Sequence, residues 1–179
     1  MSTISGTAGP DTLRGTSDGD LISGEDGNDL IHGNGGADTL YGGAGADILF
    51  GDQGADLLFG HNGDDQLFGG VGADTLFGGQ GGDTLYGGQG DDVLNGDQGN
   101  DTLSGDAGAD HFLFGSNSGA DTILGFDRMQ GDRIDLQGQS YTFAAAKNGN
   151  VVLTLSGGGT VQLAGIGLAV FGTGAGFFV

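Results

Sequence analysis

Twelve aspartates recur along this chain at intervals of nine residues: Asp11, Asp20, Asp29, Asp38, Asp47, Asp56, Asp65, Asp74, Asp83, Asp92, Asp101 and Asp110. Carboxylates so placed suit hard cations, above all calcium, which takes six to eight oxygens from carboxylates and backbone carbonyls alike. Each aspartate follows glycine-rich sequence, and a turn with few side chains lets several carbonyls point inward at one place. Aspartate and glycine are also the commonest turn formers, so terminating a turn is the simpler role. Carboxylates stacked in a column would repel one another, however, and only bound cations make such an arrangement favourable.

Other chemistries find little support. The chain has no cysteine, which rules out disulfides and thiolate metal sites. His32, His61 and His111 fall at different places of the repeat and share no face, so they read as ordinary surface residues. No zinc-protease helix, nucleophile elbow or phosphate loop occurs, and the reading is that the chain is not an enzyme. With 24 acidic residues against 4 basic ones, a net charge of -20, nucleic acid is a poor partner. No run of about 18 apolar residues is present, so no membrane span is expected.

The elements that position the aspartates derive from the nine-residue unit. Counting Gly6 as position 1, every ninth residue from Gly6 to Gly105 is glycine. Position 6 is always aspartate, and position 8 is always large and apolar, from Leu13 through Leu40 and Leu94 to Phe112. The units are most regular over 42–95. The first two are looser, with Thr7 and Thr16 at position 2 and Asp18 at position 4, as outer units of repeat arrays tend to be. Low hydrophobicity with high net charge usually marks disorder, yet here the apolar residues hold a fixed place, which suggests a fold that waits for a cofactor.

Only positions 7 to 9 carry strand-forming residues, and alternation sets position 8 on one face and positions 7 and 9 on the other. Three-residue strands separated by six-residue turns find partners only in neighbouring turns, so the chain must coil. Two units make one coil, and twelve units make six coils, about 29 Å of parallel strands at roughly 4.8 Å per layer. The aspartates then form two columns, Asp11, Asp29, Asp47, Asp65, Asp83, Asp101 and Asp20, Asp38, Asp56, Asp74, Asp92, Asp110. Six members leave five gaps, so the two columns hold at most about ten calcium ions. The phase breaks after Leu113, and strands are expected at 141–143, 151–155 and 160–163, the last two joined through Gly157, Gly158 and Gly159. The expected organisation is a roll over 1–113 and a β cap over 114–179.

The units resemble the GGxGxDxUx nonapeptide of the repeats-in-toxin (RTX) family of secreted bacterial proteins. The resemblance implies an all-β fold, a right-handed parallel β-roll with an irregular C-terminal β cap. It implies calcium held between turns by the sixth-place aspartates and by carbonyls of the fourth-place glycines Gly45, Gly54, Gly63, Gly72, Gly81, Gly90 and Gly99. The tail, with Asp121-Thr-Ile123 and Asp132-Arg-Ile-Asp-Leu136, is similar to the segment that succeeds such rolls in secreted members, and 160–165 through 177–179 looks like the family's uncleaved export signal. Secretion by a type I system to the cell exterior or surface is what this implies.

Position 9 is aromatic in six consecutive units: Tyr41, Phe50, Phe59, Phe68, Phe77 and Tyr86. With position 8 inward these face outward as two ladders. Same-face stacking stiffens a sheet by about 0.2–1 kcal/mol per pair, but an apolar ladder on a surface also marks a contact site. The pattern admits two functions. The chain is a calcium-folded structural protein that assembles with itself into a surface layer, filament or matrix, or it is a non-catalytic module for secretion, folding or binding a cell-surface polysaccharide.

Overall fold

Large apolar residues at every ninth place can all be buried only if successive units alternate between two sheets, and this is the architecture of the computed structural model, which describes residues 1–148 and 150–166. The segment 177–179, expected to end an export signal, lies outside the described residues. In chain order the strands are β1 (Thr3–Ser5), β2 (Thr12–Arg14), β3 (Leu21–Asp26), β4 (Leu30–His32), β5 (Thr39–Ala44), β6 (Ile48–Gln53), β7 (Leu57–Asn62), β8 (Gln66–Val71) and β9 (Thr75–Gln80). They continue as β10 (Thr84–Gln89), β11 (Val93–Gln98), β12 (Thr102–Ala107), β13 (His111–Leu113), β14 (Ala120–Leu124), β15 (Arg133–Asp135), β16 (Tyr141–Ala145), β17 (Val151–Leu155) and β18 (Thr160–Leu163).

Odd-numbered strands β1 to β15 form an 8-stranded sheet, and the even-numbered strands form most of a 10-stranded one. Together they wind a parallel β-solenoid of about 7 turns. The register repeats at 18 residues: Leu40 lies opposite Leu58, and Leu58 opposite Leu76. Position 8 therefore makes one file in each sheet. The two files, from Ile22 and Ile31 to Leu94 and Leu103, are fully buried against each other and form the core.

The strands are longer than the sequence suggests. Those of the regular units run six residues, because pairing resumes at positions 2 and 3, as in Gly43 opposite His61 and Ala44 opposite Asn62. From Glu25 onward position 2 takes a left-handed conformation even where it is not glycine, with φ of 76° at Glu25 and 78° at His61. That residue bends the strand without ending the ladder, and only positions 4 to 6 remain as a turn.

Parallel stacking continues past Leu113. β14 pairs in parallel with β12, and β15 with β13, carrying Ile123 and Ile134 into the two buried files. β18 adds in parallel to β14, then β17 and β16 join antiparallel. The hairpin expected at Gly157 to Gly159 is thus present between β17 and β18.

Candidate metal centre

The turn at positions 4 to 6 brings each aspartate back against the preceding coil. The Asp47 amide donates to Asp65 Oδ1 at 2.8 Å, and the Asp65 amide donates to Asp83 Oδ1 at the same distance. The second column repeats the arrangement, with the Asp56 amide on Asp74 Oδ1 and the Asp74 amide on Asp92 Oδ1, both 2.8 Å. The two expected columns therefore exist as continuous backbone-to-carboxylate chains. From Asp20 to Asp110 every member is at most 3 % exposed.

One oxygen of each carboxylate is left over. Oδ2 of Asp29, Asp38, Asp47, Asp56, Asp65, Asp74, Asp83, Asp92, Asp101 and Asp110 is buried without a hydrogen-bond partner. A buried unpartnered carboxylate oxygen is among the most expensive groups a protein can hold, and its repetition in two files calls for a compensating cation.

Backbone oxygens converge on the same places. A Cβ built on Gly51 would lie 2.6 Å from both Asp56 Oδ2 and Gly69 O, and one on Gly69 would meet Asp74 Oδ2 and Gly87 O at the same distance. Position 1 is glycine because a side chain would fill the hollow between these oxygens. Position 4 is glycine for a related reason: its carbonyl abuts the fourth-place glycine one coil on. Gly45 O faces Gly63, Gly54 O faces Gly72, Gly63 O faces Gly81, and Gly72 O faces Gly90. Gly81, Gly90 and Gly99 likewise face Gly99, Gly108 and Gly119. All seven expected glycine carbonyls thus point into the gaps between coils, and Gly27 and Gly36, which were not among the expected donors, do the same.

Among the described residues no three acidic or imidazole side chains gather to hold a metal by themselves. Ligands here would be carboxylate and carbonyl oxygens together, a hard-oxygen set that fits calcium. The residues that would hold it are the ten aspartates from Asp29 to Asp110, with the carbonyls beside them. Bound calcium would supply positive charge to oxygens that the chain alone leaves uncompensated.

The electrostatics reflect this geometry. Burial pushes Asp56, Asp65 and Asp92 up to about 7 and Asp101 up to about 8, opposed by the amide hydrogen bond that each accepts. Burial likewise raises Asp83 and Asp110 to about 6, and Asp29, Asp38, Asp47 and Asp74 are raised for the same reason.

The first two expected ligands differ. Asp11 Oδ2 accepts from the Thr7 amide at 2.6 Å and its hydroxyl at 2.9 Å. Asp20 Oδ2 accepts from the Thr16 amide at 2.7 Å and its hydroxyl at 2.8 Å. Hydrogen bonds from the Ser2 backbone and then from Thr16 hold Asp20 down at about 2. Threonine at position 2 thus supplies a partner to the oxygen that is left without one elsewhere, and Asp11 and Asp20 have no unpartnered Oδ2 to set beside those of the later units. Thr16→Gly removes the hydroxyl that donates to Asp20 Oδ2 and is expected to weaken the first coil of the calcium-loaded protein. Hydrogen exchange at the β3 amides would show this, and unchanged protection would contradict it.

Two aspartates outside the expected ligand set extend the columns. The Asp101 amide donates to Asp121 Oδ1 and the Asp110 amide to Asp132 Oδ1, both at 3.1 Å. Their signal in the sequence is a spacing of eleven from Asp110 to Asp121 and again to Asp132, each with isoleucine two residues further on.

The family model for the RTX calcium-binding nonapeptide repeat, which holds four copies of the unit, matches residues 5–40, 41–76 and 77–112. The chain belongs to the RTX calcium-binding repeat family. No curated protein matches it. Among solved structures, the RTX chain is similar to the extracellular lipase LipA from Serratia marcescens at 21% identity and a TM-score of 0.40. That alignment covers 97% of this chain but 39% of the lipase. The AlgE6R3 subunit of the mannuronan C5-epimerase from Azotobacter vinelandii is 27% identical with a TM-score of 0.34, over 80% of this chain and 77% of that one.

On the outer faces of the RTX roll the aromatic ladders are as expected. Tyr41, Phe59 and Phe77 stack at 5.1 Å per step within 7° of parallel. Phe50, Phe68 and Tyr86 stack at 4.8 and 5.3 Å on the other sheet. His32, expected to be an ordinary surface residue, joins the second ladder at 4.6 Å from Phe50 and lies 3.1 Å from Asp52. The ladder rings are half-buried, because each covers its neighbour.

Proposed function

We propose that this RTX chain is an extracellular structural protein, exported unfolded by a type I system and folded outside the cell when calcium enters the two aspartate columns. The observation that carries the proposal is the double file of buried Oδ2 atoms without partners. Where calcium is scarce these oxygens oppose folding, and where it is abundant they drive it, because a ligand that binds only the folded state stabilises that state. No catalysis is assigned to the chain.

Self-association is the second half of the proposal. Three-ring ladders on both sheets make two stiff, repetitive faces, and a second copy offers a matching face. Sedimentation of the 17.6 kDa chain at millimolar calcium is expected to show a species larger than the monomer. Replacing Tyr41, Phe59 and Phe77 together by serine should return it to the monomer. A calcium-loaded wild type that stays monomeric at every concentration would refute assembly.

An open groove favours a second reading, binding of a polysaccharide. The left-handed bend at position 2 hollows the odd-numbered sheet into a groove of about 700 Å³, lined by Tyr41, His61, Asn62, Gln80, Asp97 and Gln98. An aromatic platform flanked by amides suits sugar rings and their hydroxyls, and the carboxylates of Glu25, Asp26 and Asp97 in its lining favour a neutral polymer. Retardation in gels containing neutral polysaccharides, abolished by Tyr41→Ala, would support this reading. Unaltered migration in all of them would exclude it.

A further inference from the structure

The ring ladder of the even-numbered sheet ends at a place that the calcium columns do not use. Its file runs Arg14, His32, Phe50, Phe68, Tyr86 and Ser104, each opposite the next in register. Within the ladder a ring covers its neighbour: His32 lies on Phe50, Phe50 on Phe68, and Phe68 on Tyr86 at 5.3 Å. At Tyr86 the stack stops. The next place belongs to Ser104, a small buried side chain, so the second face of Tyr86 has no ring against it among the described residues.

Beside that face the chain holds a carboxylate. Asp106, at position 2 of the following coil, is exposed and left-handed, with φ of 67°. The Ser104 hydroxyl donates to Asp106 Oδ1 at 2.7 Å, which fixes the carboxylate and leaves Oδ2 for another donor. Position 2 of the two coils before it is Gly70 and Gly88, where a Cβ would lie 2.3 Å from Asp52 O and from Gly70 O respectively. This floor therefore carries no side chain. Phe68, Gly70, Tyr86, Gly87, Gly88 and Asp106 line a trough of about 290 Å³ over it. The other ladder stops similarly at Phe77, Asn95 and Asp97, but Phe77 does not line the groove on that sheet.

These parts select a ligand by its chemistry. The face of an aromatic ring is the negative part of its quadrupole and the edge the positive part, so a cation is attracted to the free face of Tyr86 and not to the ring edges along the ladder. A carboxylate held by a serine beside that face favours a charged donor. A planar guanidinium meets both demands at once: it lies flat on the ring, turns its N–H edge to the carboxylate, and is more weakly hydrated than an ammonium. Its methylene stem can run along the glycine floor beside Phe68. At about 290 Å³ the trough stands at the lower limit of small-molecule pockets, which suits one side chain of a larger partner better than a free ligand. The net charge of -20 draws basic partners to the chain.

We propose that the end of this ladder, Tyr86 with Asp106, receives an arginine side chain from a basic partner protein. Nuclear magnetic resonance of the full calcium-loaded chain, titrated with the peptide acetyl-Gly-Arg-Gly-amide, tests this. The Tyr86 ring signal, assigned by its loss in Tyr86→Phe, is expected to shift saturably. The matching lysine peptide should bind several-fold more weakly, and the uncharged citrulline peptide not at all. Asp106→Asn, which a left-handed backbone tolerates, and Tyr86→Leu should each weaken the arginine peptide about fivefold. Tyr86→Phe keeps the ring face and should bind as the wild type does, as should Asp52→Asn, whose carboxylate lies at the far end of the floor against His32. No shift at Tyr86, a lysine or citrulline peptide as effective as the arginine one, or full affinity in Asp106→Asn would overturn the proposal. Equal shifts over the whole acidic surface that vanish in salt would overturn it too, since they report net charge alone. If Tyr86→Leu unfolds, Asp106→Asn decides.

Discussion

Alanine in place of Gly63 is expected to destabilise the calcium-loaded roll by about 2–6 kcal/mol, the sum of overpacking and of strain in a left-handed backbone. Gly63 has φ of 130°, and a Cβ there would overlap Gly45 O and come 3.3 Å from the Ala46 amide nitrogen. Those atoms belong to the backbone of the coil before it, so relief requires the coils to part. The separation would also widen the gap in which the Gly45 carbonyl and the Asp47 and Asp65 carboxylates lie, so calcium affinity should fall with stability. Gly82 provides the control. It is also a turn glycine, but a Cβ on it would lie 3.5 Å from Asn100 O and 3.7 Å from Asp64 Oδ1, which is ordinary contact. Urea midpoints in saturating calcium should therefore drop for Gly63→Ala and stay within about 0.5 kcal/mol of wild type for Gly82→Ala. Equal midpoints for the two variants would contradict the stacking of coil on coil.

The second large effect is on pH, in the absence of calcium. An unfolded aspartate titrates at about 3.9, whereas burial in the roll pushes Asp83, Asp110 and Asp121 up to about 6, Asp56, Asp65 and Asp92 up to about 7 and Asp101 up to about 8. The folded state thus binds more protons than the unfolded state between roughly pH 4 and 8, and in that window stability falls as pH rises. The stabilisation from protonation is fully present below about pH 4 and is lost through roughly pH 6 to 8. Metal-free protein is therefore expected to gain β-structure on acidification from about pH 8 to about pH 5, with the proton standing in for calcium at Oδ2. Calcium-loaded protein should show the opposite trend, since protonation displaces the ion. Circular dichroism of chelator-treated and calcium-saturated samples across this range measures both. A metal-free chain equally unstructured, or equally folded, at the two ends of the range would contradict the role given to burial.

Most of the roll could be read from residue types alone because its period is rigid. An apolar residue at the eighth place of every unit and an aspartate at the sixth leave one winding that buries the former and aligns the latter, and Leu58, Leu67, Asp56 and Asp65 lie where that winding puts them. What escaped depends on partners and dihedral angles, which residue type does not encode. His61 at φ 78° shows that from Glu25 onward position 2 is left-handed whether or not it is glycine, and this lengthens most strands of the roll from three residues to six. Asp11 and Asp20 have the type and spacing of ligands, but the hydroxyls of Thr7 and Thr16 occupy their free oxygens. Asp121 and Asp132 are visible in the sequence but stand two residues late for the count of nine, which keeps them out of the expected ligand set although the coil stays in register. The stacking of His32 on Phe50 is a cross-coil contact that emerges only once units 18 residues apart are set side by side.

Calcium titration of chelator-treated protein near neutral pH, followed by far-UV circular dichroism, tests most directly whether the aspartate columns are the reason this chain folds. The expected result is a chain with little β-structure in chelator that acquires the full β spectrum cooperatively as calcium fills successive gaps. A β spectrum that is the same in chelator and in saturating calcium would mean that the buried Oδ2 atoms are stabilised by something other than the ion.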